Sequence, residues 1–136
     1  MKFLFDTKEY NLEANKCSAF LNDDEKPVTG LDVYDVLNIL ENNDKVDFDR
    51  QYYQEACPKC LYGVKEKEKF FPFLEYYFYI LTKNQKYVVS DISKEYEDLS
   101  FNKLYKKGEV DDSYIVSIII CEHCGEYLIQ IENCAV

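Results

Sequence analysis

Two Cys-x-x-Cys pairs constrain this chain more than any other feature of its sequence. They read Cys57-Pro58-Lys59-Cys60 and Cys121-Glu122-His123-Cys124-Gly125. Each pair places two thiolates on one side of a tight turn, and two such turns facing each other form a tetrahedral four-sulfur site. The spacing therefore predicts a bound metal ion whose ligands are Cys57, Cys60, Cys121 and Cys124.

The two pairs differ in regularity. Gly125 follows the second pair directly, at a position that often requires a positive φ, which glycine adopts without strain. A strand on each side of this pair is typical of a zinc or rubredoxin-type knuckle. The first pair has proline after its first cysteine, but Leu61 and Tyr62 precede Gly63, so it is the less regular half.

A shared site requires that the chain close a long loop, since 60 residues separate Cys60 from Cys121. Each doubling of loop length costs only about 0.6 kcal/mol. Apparent zinc binding of roughly 10–16 kcal/mol in zinc-finger peptides exceeds that cost. We therefore expect one four-cysteine site with an insertion between its halves; the alternative is four reduced or disulfide-paired cysteines.

A redox role for the first pair is a second alternative. Cys57-Pro58-Lys59-Cys60 also resembles the active dithiol of glutaredoxin-type proteins, whose first cysteine has a lowered pKa at the start of a helix. However, no clean amphipathic helix follows Cys60, no βαβ series surrounds the motif, and the second pair would have no role. A structural metal site is the better interpretation.

The ligand set predicts the character of the metal site. Four thiolates close the coordination sphere, whereas a catalytic zinc keeps an open position. Zinc is the expected ion, and iron is an alternative because the same four sulfurs suit it. His123 is expected to be an exposed side chain of the knuckle, and Cys17 and Cys134 are expected to be single thiols outside the site.

The charge of the chain bears on its partners. Its 26 acidic and 16 basic residues give a formal charge of −10, and the only dense basic run is Lys65, Lys67 and Lys69. Nucleic-acid binders carry a basic face, because phosphate neutralisation supplies most of their affinity. A nucleic-acid-binding role is therefore disfavoured, and a basic protein partner, or solubility alone, is easier to reconcile with this charge.

The sequence also bears on cellular location. An apolar run of only three residues, Phe3 to Phe5, precedes the first acidic group, and this run is too short for the apolar core of a signal peptide. No stretch approaches the roughly 18 apolar residues of a membrane span. We expect a cytoplasmic protein, in which six cysteines indicate metal binding or free thiols before disulfides.

The predicted fold is α+β, with a mainly antiparallel sheet, one or two helices and a zinc-ribbon-like two-knuckle metal site. A helix is expected from Leu31 to Leu40, begun by Thr29 or Gly30 and ended by Asn42-Asn43-Asp44. A short helix is expected over Ser100 to Lys107, capped by Ser100 and followed by Gly108. The predicted strands are a hairpin around Asp6 to Glu9, a short strand at Val46–Asp49, an aromatic hairpin of Phe73–Thr82 and Lys86–Ile92, and strands at Tyr114–Ile120 and Glu126–Glu132.

One domain is expected over residues 1–136. Residues 1–50 would hold the N-terminal hairpin and helix, and residues 51–136 the knuckle-bearing sheet with the inserted aromatic hairpin. In that hairpin, alternation places Tyr77 and Tyr79 on one face and Tyr76 and Phe78 on the other. The stretch Glu75–Tyr79 is a candidate recognition surface, and a sheet with one face in the core and the other partly covered is the simpler interpretation.

Three segments resemble a small uncharacterised family from anaerobic Gram-positive bacteria. They are Cys57–Cys60, Ser90–Tyr96 and Ser113–Ile118. The resemblance implies a small bacterial cytosolic protein, and it implies no activity. More broadly, the four cysteines resemble those of zinc-ribbon proteins.

Three functions remain open at this point. The first is a zinc-stabilised, non-catalytic binding or adaptor module that contacts another protein. The alternatives are a thiol-disulfide oxidoreductase using Cys57 and Cys60, and a nucleic-acid-binding zinc ribbon.

Overall fold

A computed structural model describes residues 1–43 and 46–134. These residues form eight strands and two α-helices, with two single-turn 3₁₀ helices at Ala14–Lys16 and Lys94–Tyr96. The strands are β1 Lys2–Phe5, β2 Lys8–Asn11, β3 Cys17–Leu21, β4 Asp49–Tyr53, β5 Phe71–Lys83, β6 Lys86–Ser90, β7 Asp112–Cys121 and β8 Tyr127–Asn133, and the helices are α1 Val33–Glu41 and α2 Phe101–Lys106. The predicted α+β class with a mainly antiparallel sheet is confirmed.

Six of the strands form one sheet, in the order β3-β8-β7-β5-β4, with β6 paired to the far end of β5. All of its neighbours are antiparallel except β3 and β8, which are parallel. β1 and β2 form a separate hairpin. β3 lies within residues 1–50 and β4 crosses residue 50, so the main sheet draws strands from both of the expected parts of the chain.

The sheet has a buried inner face and an outer face. Alternate residues of the three central strands point inward and are almost inaccessible to solvent, as alternation along a strand requires. They pack with the hairpin and α1 into the main core, and the fully buried ones are Leu74, Phe78, Ile80, Tyr114, Val116, Ile118, Ile120, Tyr127, Ile129 and Ile131. A second, smaller cluster of Leu81, Leu104 and Val110 joins α2 to β5.

The predicted start of α1 is wrong by two or three residues. The N-cap is Asp32, whose carboxylate accepts from the N–H of Asp35 while the Asp35 carboxylate accepts from the N–H of Asp32. This reciprocal capping box satisfies two donors that neither Thr29 nor Gly30 would satisfy. Asn42 caps the other end as predicted; Asp44 of the predicted terminator lies outside the described residues.

Most other predicted elements occur with shifted bounds. α2 begins after Ser100, whose hydroxyl accepts from the N–H of Lys103, and Gly108 follows it with a φ of 75°. The aromatic hairpin turns at Asn84–Gln85. The strand expected at Val46–Asp49 is wrong in place, because pairing with β5 begins only at Asp49. β3 was not predicted.

Candidate metal centre

The structure brings the four paired cysteines together. Their Sγ atoms all lie within 4.8 Å of one another. Cys57 Sγ is 3.7 Å from Cys124 Sγ, and Cys60 Sγ is 3.6 Å from Cys121 Sγ. These distances are too long for disulfide bonds. They match the separation of about 3.8 Å between sulfurs that are tetrahedrally arranged around zinc at about 2.3 Å.

Two knuckles deliver these sulfurs, the first at Cys57–Leu61 and the second at Cys121–Gly125. In the second, β7 ends at Cys121 and the chain turns back into β8, with the N–H of Gly125 donating to the Cys121 carbonyl at 2.9 Å. In the first, the N–H of Leu61 donates to the Cys57 carbonyl, also at 2.9 Å. The two turns therefore close with the same backbone hydrogen bond.

The backbone of the first knuckle has the same conformation as that of the second, although the first lacks a glycine after its second cysteine. Gly125 has a φ of 80°, and Leu61, at the equivalent position, has a φ of 51°. Leucine thus occupies the left-handed region that glycine favours. The first knuckle therefore differs from the second only in having leucine in place of glycine, because both turns have the same backbone conformation and the same closing hydrogen bond.

Leu61→Gly is expected to stabilise the domain by about 0.5–1 kcal/mol. Glycine removes the steric cost of a Cβ atom at positive φ, and little packing is lost because Leu61 is 56% exposed. Leu61→Ala is the matched control, since it also removes the side chain but keeps the Cβ atom. Guanidinium unfolding of the metal-loaded proteins checks the difference; a glycine variant no more stable than the alanine variant contradicts it.

Backbone donors in both knuckles point at the first sulfur. Burial raises the pKa of Cys57, but the N–H groups of Cys60 and Lys59 and the neighbouring thiols bring the net pKa below its usual value. Burial also raises the pKa of Cys121, and the N–H groups of Cys124 and His123 oppose it without reversing it. Donors at equivalent positions in the two turns thus favour thiolate, the form that binds a metal.

Cys124 is the most exposed of the four clustered cysteines. Cys57 and Cys121 are buried, Cys60 is half-buried, and Cys124 is exposed. Burial of its sulfur and the adjacent Cys121 and Cys57 groups raise the pKa of Cys124 well above its usual range. A divalent ion at this position would favour the thiolate of Cys124 and displace its proton.

His123 lies beside the four sulfurs and not among them. Its side chain is exposed, as predicted, and its ring stacks on Tyr62 with centroids 4.2 Å apart. Because Tyr62 follows the first knuckle and His123 lies in the second, this stack is a further contact between the two halves of the centre.

Cys17 and Cys134 lie outside the cluster, as predicted. The Cys17 thiol donates to the Ala19 carbonyl at 3.3 Å within β3. The N–H of Cys134 donates to the carbonyl of Ser113, at the opposite end of β7 from Cys121. The last strand therefore carries Cys134 away from the four sulfurs.

The N-terminal hairpin and β4 form hydrogen bonds to the second knuckle, and the sequence did not predict these contacts. The Lys8 ammonium donates to the carbonyls of Glu122 and His123 at 2.9 and 3.0 Å, and the Tyr10 hydroxyl donates to the Glu122 carbonyl at 2.8 Å. Burial, followed by the Glu122 carboxylate, raises the pKa of Tyr10 to about 12, so this hydroxyl remains a donor at neutral pH.

Arg50 completes this attachment. Its guanidinium makes a two-pronged contact with the Glu122 carboxylate and donates to Asp6, in the turn of the hairpin, at 2.7 Å. Bidentate pairs of this kind fix orientation as well as charge. Arg50 is the only arginine in the sequence, which is the one signal that might have drawn attention to it.

Comparison with known proteins identifies a family and no activity. The family described as "Protein of unknown function (DUF3785)" matches residues 1–136. No curated protein and no solved structure matches the chain. Among the described residues, none of the helices has the length and apolar character needed to cross a membrane. Since the match covers the full length of the sequence, this chain belongs to the DUF3785 family.

Proposed function

We propose that this chain is a non-catalytic, protein-binding module whose two knuckles are joined by a structural zinc ion. The observation that carries the proposal is the cluster of four Sγ atoms within 4.8 Å of one another, drawn from two remote segments. Four thiolates complete a tetrahedral zinc sphere and leave no open position for a substrate. The ion would therefore hold the fold together and take no part in a reaction.

The metal part of the proposal is tested by elemental analysis of untagged protein purified without oxygen. We expect about one equivalent of zinc per chain. If the protein is coloured and contains one equivalent of iron, the proposed ion is iron and not zinc, and its structural role is unchanged. Absence of any stoichiometric transition metal would refute the site.

The binding part draws its support from charge and exposure. The net charge of −10 suits a partner with basic groups. Tyr77 and Tyr79 expose 54% and 40% of their surface on the outer face of the sheet, in contrast to Phe78 between them at 1%. A bacterial cytoplasmic setting, which the sequence resemblance implies, would keep the ligand thiols reduced.

Affinity purification from the native host tests this part. We expect one protein to be recovered in a fixed ratio and to re-form the complex from purified components, while an unrelated protein of equal charge recovers none of it. A monodisperse monomer that forms no such complex counts against the proposal. Insulin reduction that is lost in Cys57→Ser would instead favour the oxidoreductase.

A further inference from the structure

The outer face of the main sheet carries an uncovered patch, here named the open face. Strand register places Tyr77 opposite Ser117, and Ser117 opposite Gln130. Tyr79 lies opposite Ile115 in the same layer of side chains. The open face consists of Tyr77, Tyr79, Ile115, Ser117, Ile119, Leu128 and Gln130.

None of the large apolar residues of this patch belongs to either hydrophobic cluster of the described chain. Tyr77 and Tyr79 are exposed, and Ile115, Ile119 and Leu128 are half-buried by their strand neighbours. The centre of the patch is uncharged although 31% of the sequence is charged. A contiguous exposed apolar patch with a polar border is typical of an interaction site.

Two structural features bound the open face along the strands. At one end, α2 packs on Leu81 through Leu104. At the other, the loop after the first knuckle lies against the ring of Phe71, which is 3.0 Å from the position that a Cβ atom on Gly63 would take. The outward residues between these ends run from Phe73 to Tyr79, about 20 Å. This width accommodates one helix, whose diameter with side chains is about 10–12 Å.

Acidic residues border the open face on both sides. Between its two ends, the outward positions of β3, β4, β5, β7 and β8 include no lysine or arginine. Asp49 and Glu75 lie opposite each other on one side, and Glu132 lies on the other, opposite Ile115. Three strand spacings, about 14 Å, separate the two sides. An occupant would therefore meet carboxylates on both sides of an uncharged centre.

We infer that the open face binds an amphipathic helix of a partner protein that lies across the strands, apolar toward the tyrosines and with lysine or arginine where it passes the two acidic sides. The inference rests on the proposed function and specifies the chemistry of the partner. Apolar side chains would cover Tyr77, Tyr79 and Ile119, and the basic groups would pair with Asp49 and Glu132. A second copy of this chain fits less well, because its own carboxylate borders and its net charge of −10 would repel those of the first copy.

The test uses a fluorescein-labelled synthetic helix of about 18 residues, with leucine on one face and lysine on the other, in an anisotropy titration. Two control peptides are a scramble of the same composition and a version with glutamate in place of lysine. Tyr77→Ser/Tyr79→Ser in one protein is compared with Tyr34→Ser, which removes a 71% exposed tyrosine from α1. Unchanged melting and metal content verify that each variant is folded.

We expect the double variant to bind the lysine helix about tenfold more weakly or worse, and Tyr34→Ser to bind like the native protein. Asp49→Asn/Glu132→Gln should also weaken binding and reduce its dependence on salt. Equal binding by the double variant, or equal binding of the scrambled peptide, overturns the inference. So does a dimer in sedimentation that the double variant abolishes, since the occupant would then be a second copy.

These outcomes are separable from failure of the proposed function. If a native partner is recovered equally by the double variant and the native protein, the module binds elsewhere and only the open-face inference fails. If no partner is recovered and no lysine helix binds, both fail.

Discussion

Cys121→Ser is expected to lower the melting temperature of the whole domain by about 10 °C or more. Metal binding of about 10–16 kcal/mol in zinc peptides is comparable to the entire stability of a domain, about 5–15 kcal/mol. Losing one buried ligand removes much of the free energy of metal binding and leaves three thiols at contact distance. Differential scanning calorimetry with metal analysis on the same sample checks the result.

Cys134→Ser is the matched control, since it makes the same chemical change at the far end of β7 from the cluster. It should melt within a few degrees of the native protein and keep its metal. Because Lys8, Tyr10 and Arg50 all bond to the second knuckle, hydrogen exchange in β1 and β2 should accelerate in Cys121→Ser. Unchanged melting in Cys121→Ser would contradict a structural metal.

The sequence predicts the candidate site better than its surroundings because Cys-x-x-Cys is a local pattern. The spacing alone fixes which sulfurs share a turn, and the structure brings all four together. The attachment of Lys8 and Arg50 to Glu122 spans 114 and 72 residues, and no local pattern encodes it. The left-handed conformation of Leu61 could not be predicted from the sequence either, because leucine rarely adopts a positive φ.

The same distinction explains the fold. α2 is predictable because Ser100 and Gly108 signal its two ends within a few residues. β3 is not, because Cys17–Leu21 lacks alternation and is held by parallel pairing with β8 more than 100 residues later. The start of α1 was signalled by Asp32 and Asp35, an aspartate version of the capping box that is usually sought as Ser or Thr with Glu.

Two adjacent isoleucines of β7 provide a direct test of the two sheet faces. Ile118 points inward with no exposed surface, and Ile119 points outward and is half-buried on the open face. Ile118→Ala is expected to cost about 2–5 kcal/mol, because it leaves a cavity in the main core. Ile119→Ala should cost about 1 kcal/mol or less, since Ile119 belongs to neither hydrophobic cluster of the described residues.

The comparison is matched because both changes remove the same atoms from neighbouring positions of one strand. Loss of β-propensity, up to about 1 kcal/mol, is common to both and cancels in the difference. Guanidinium titrations in which the two variants have equal m-values measure this difference in the free energy of unfolding. Equal destabilisation would mean that the outer face is as well packed as the inner one, and a helix-binding surface at Tyr77 and Tyr79 would then have no room. A large difference leaves Ile119 available to a partner, because its apolar surface contributes little to the isolated domain.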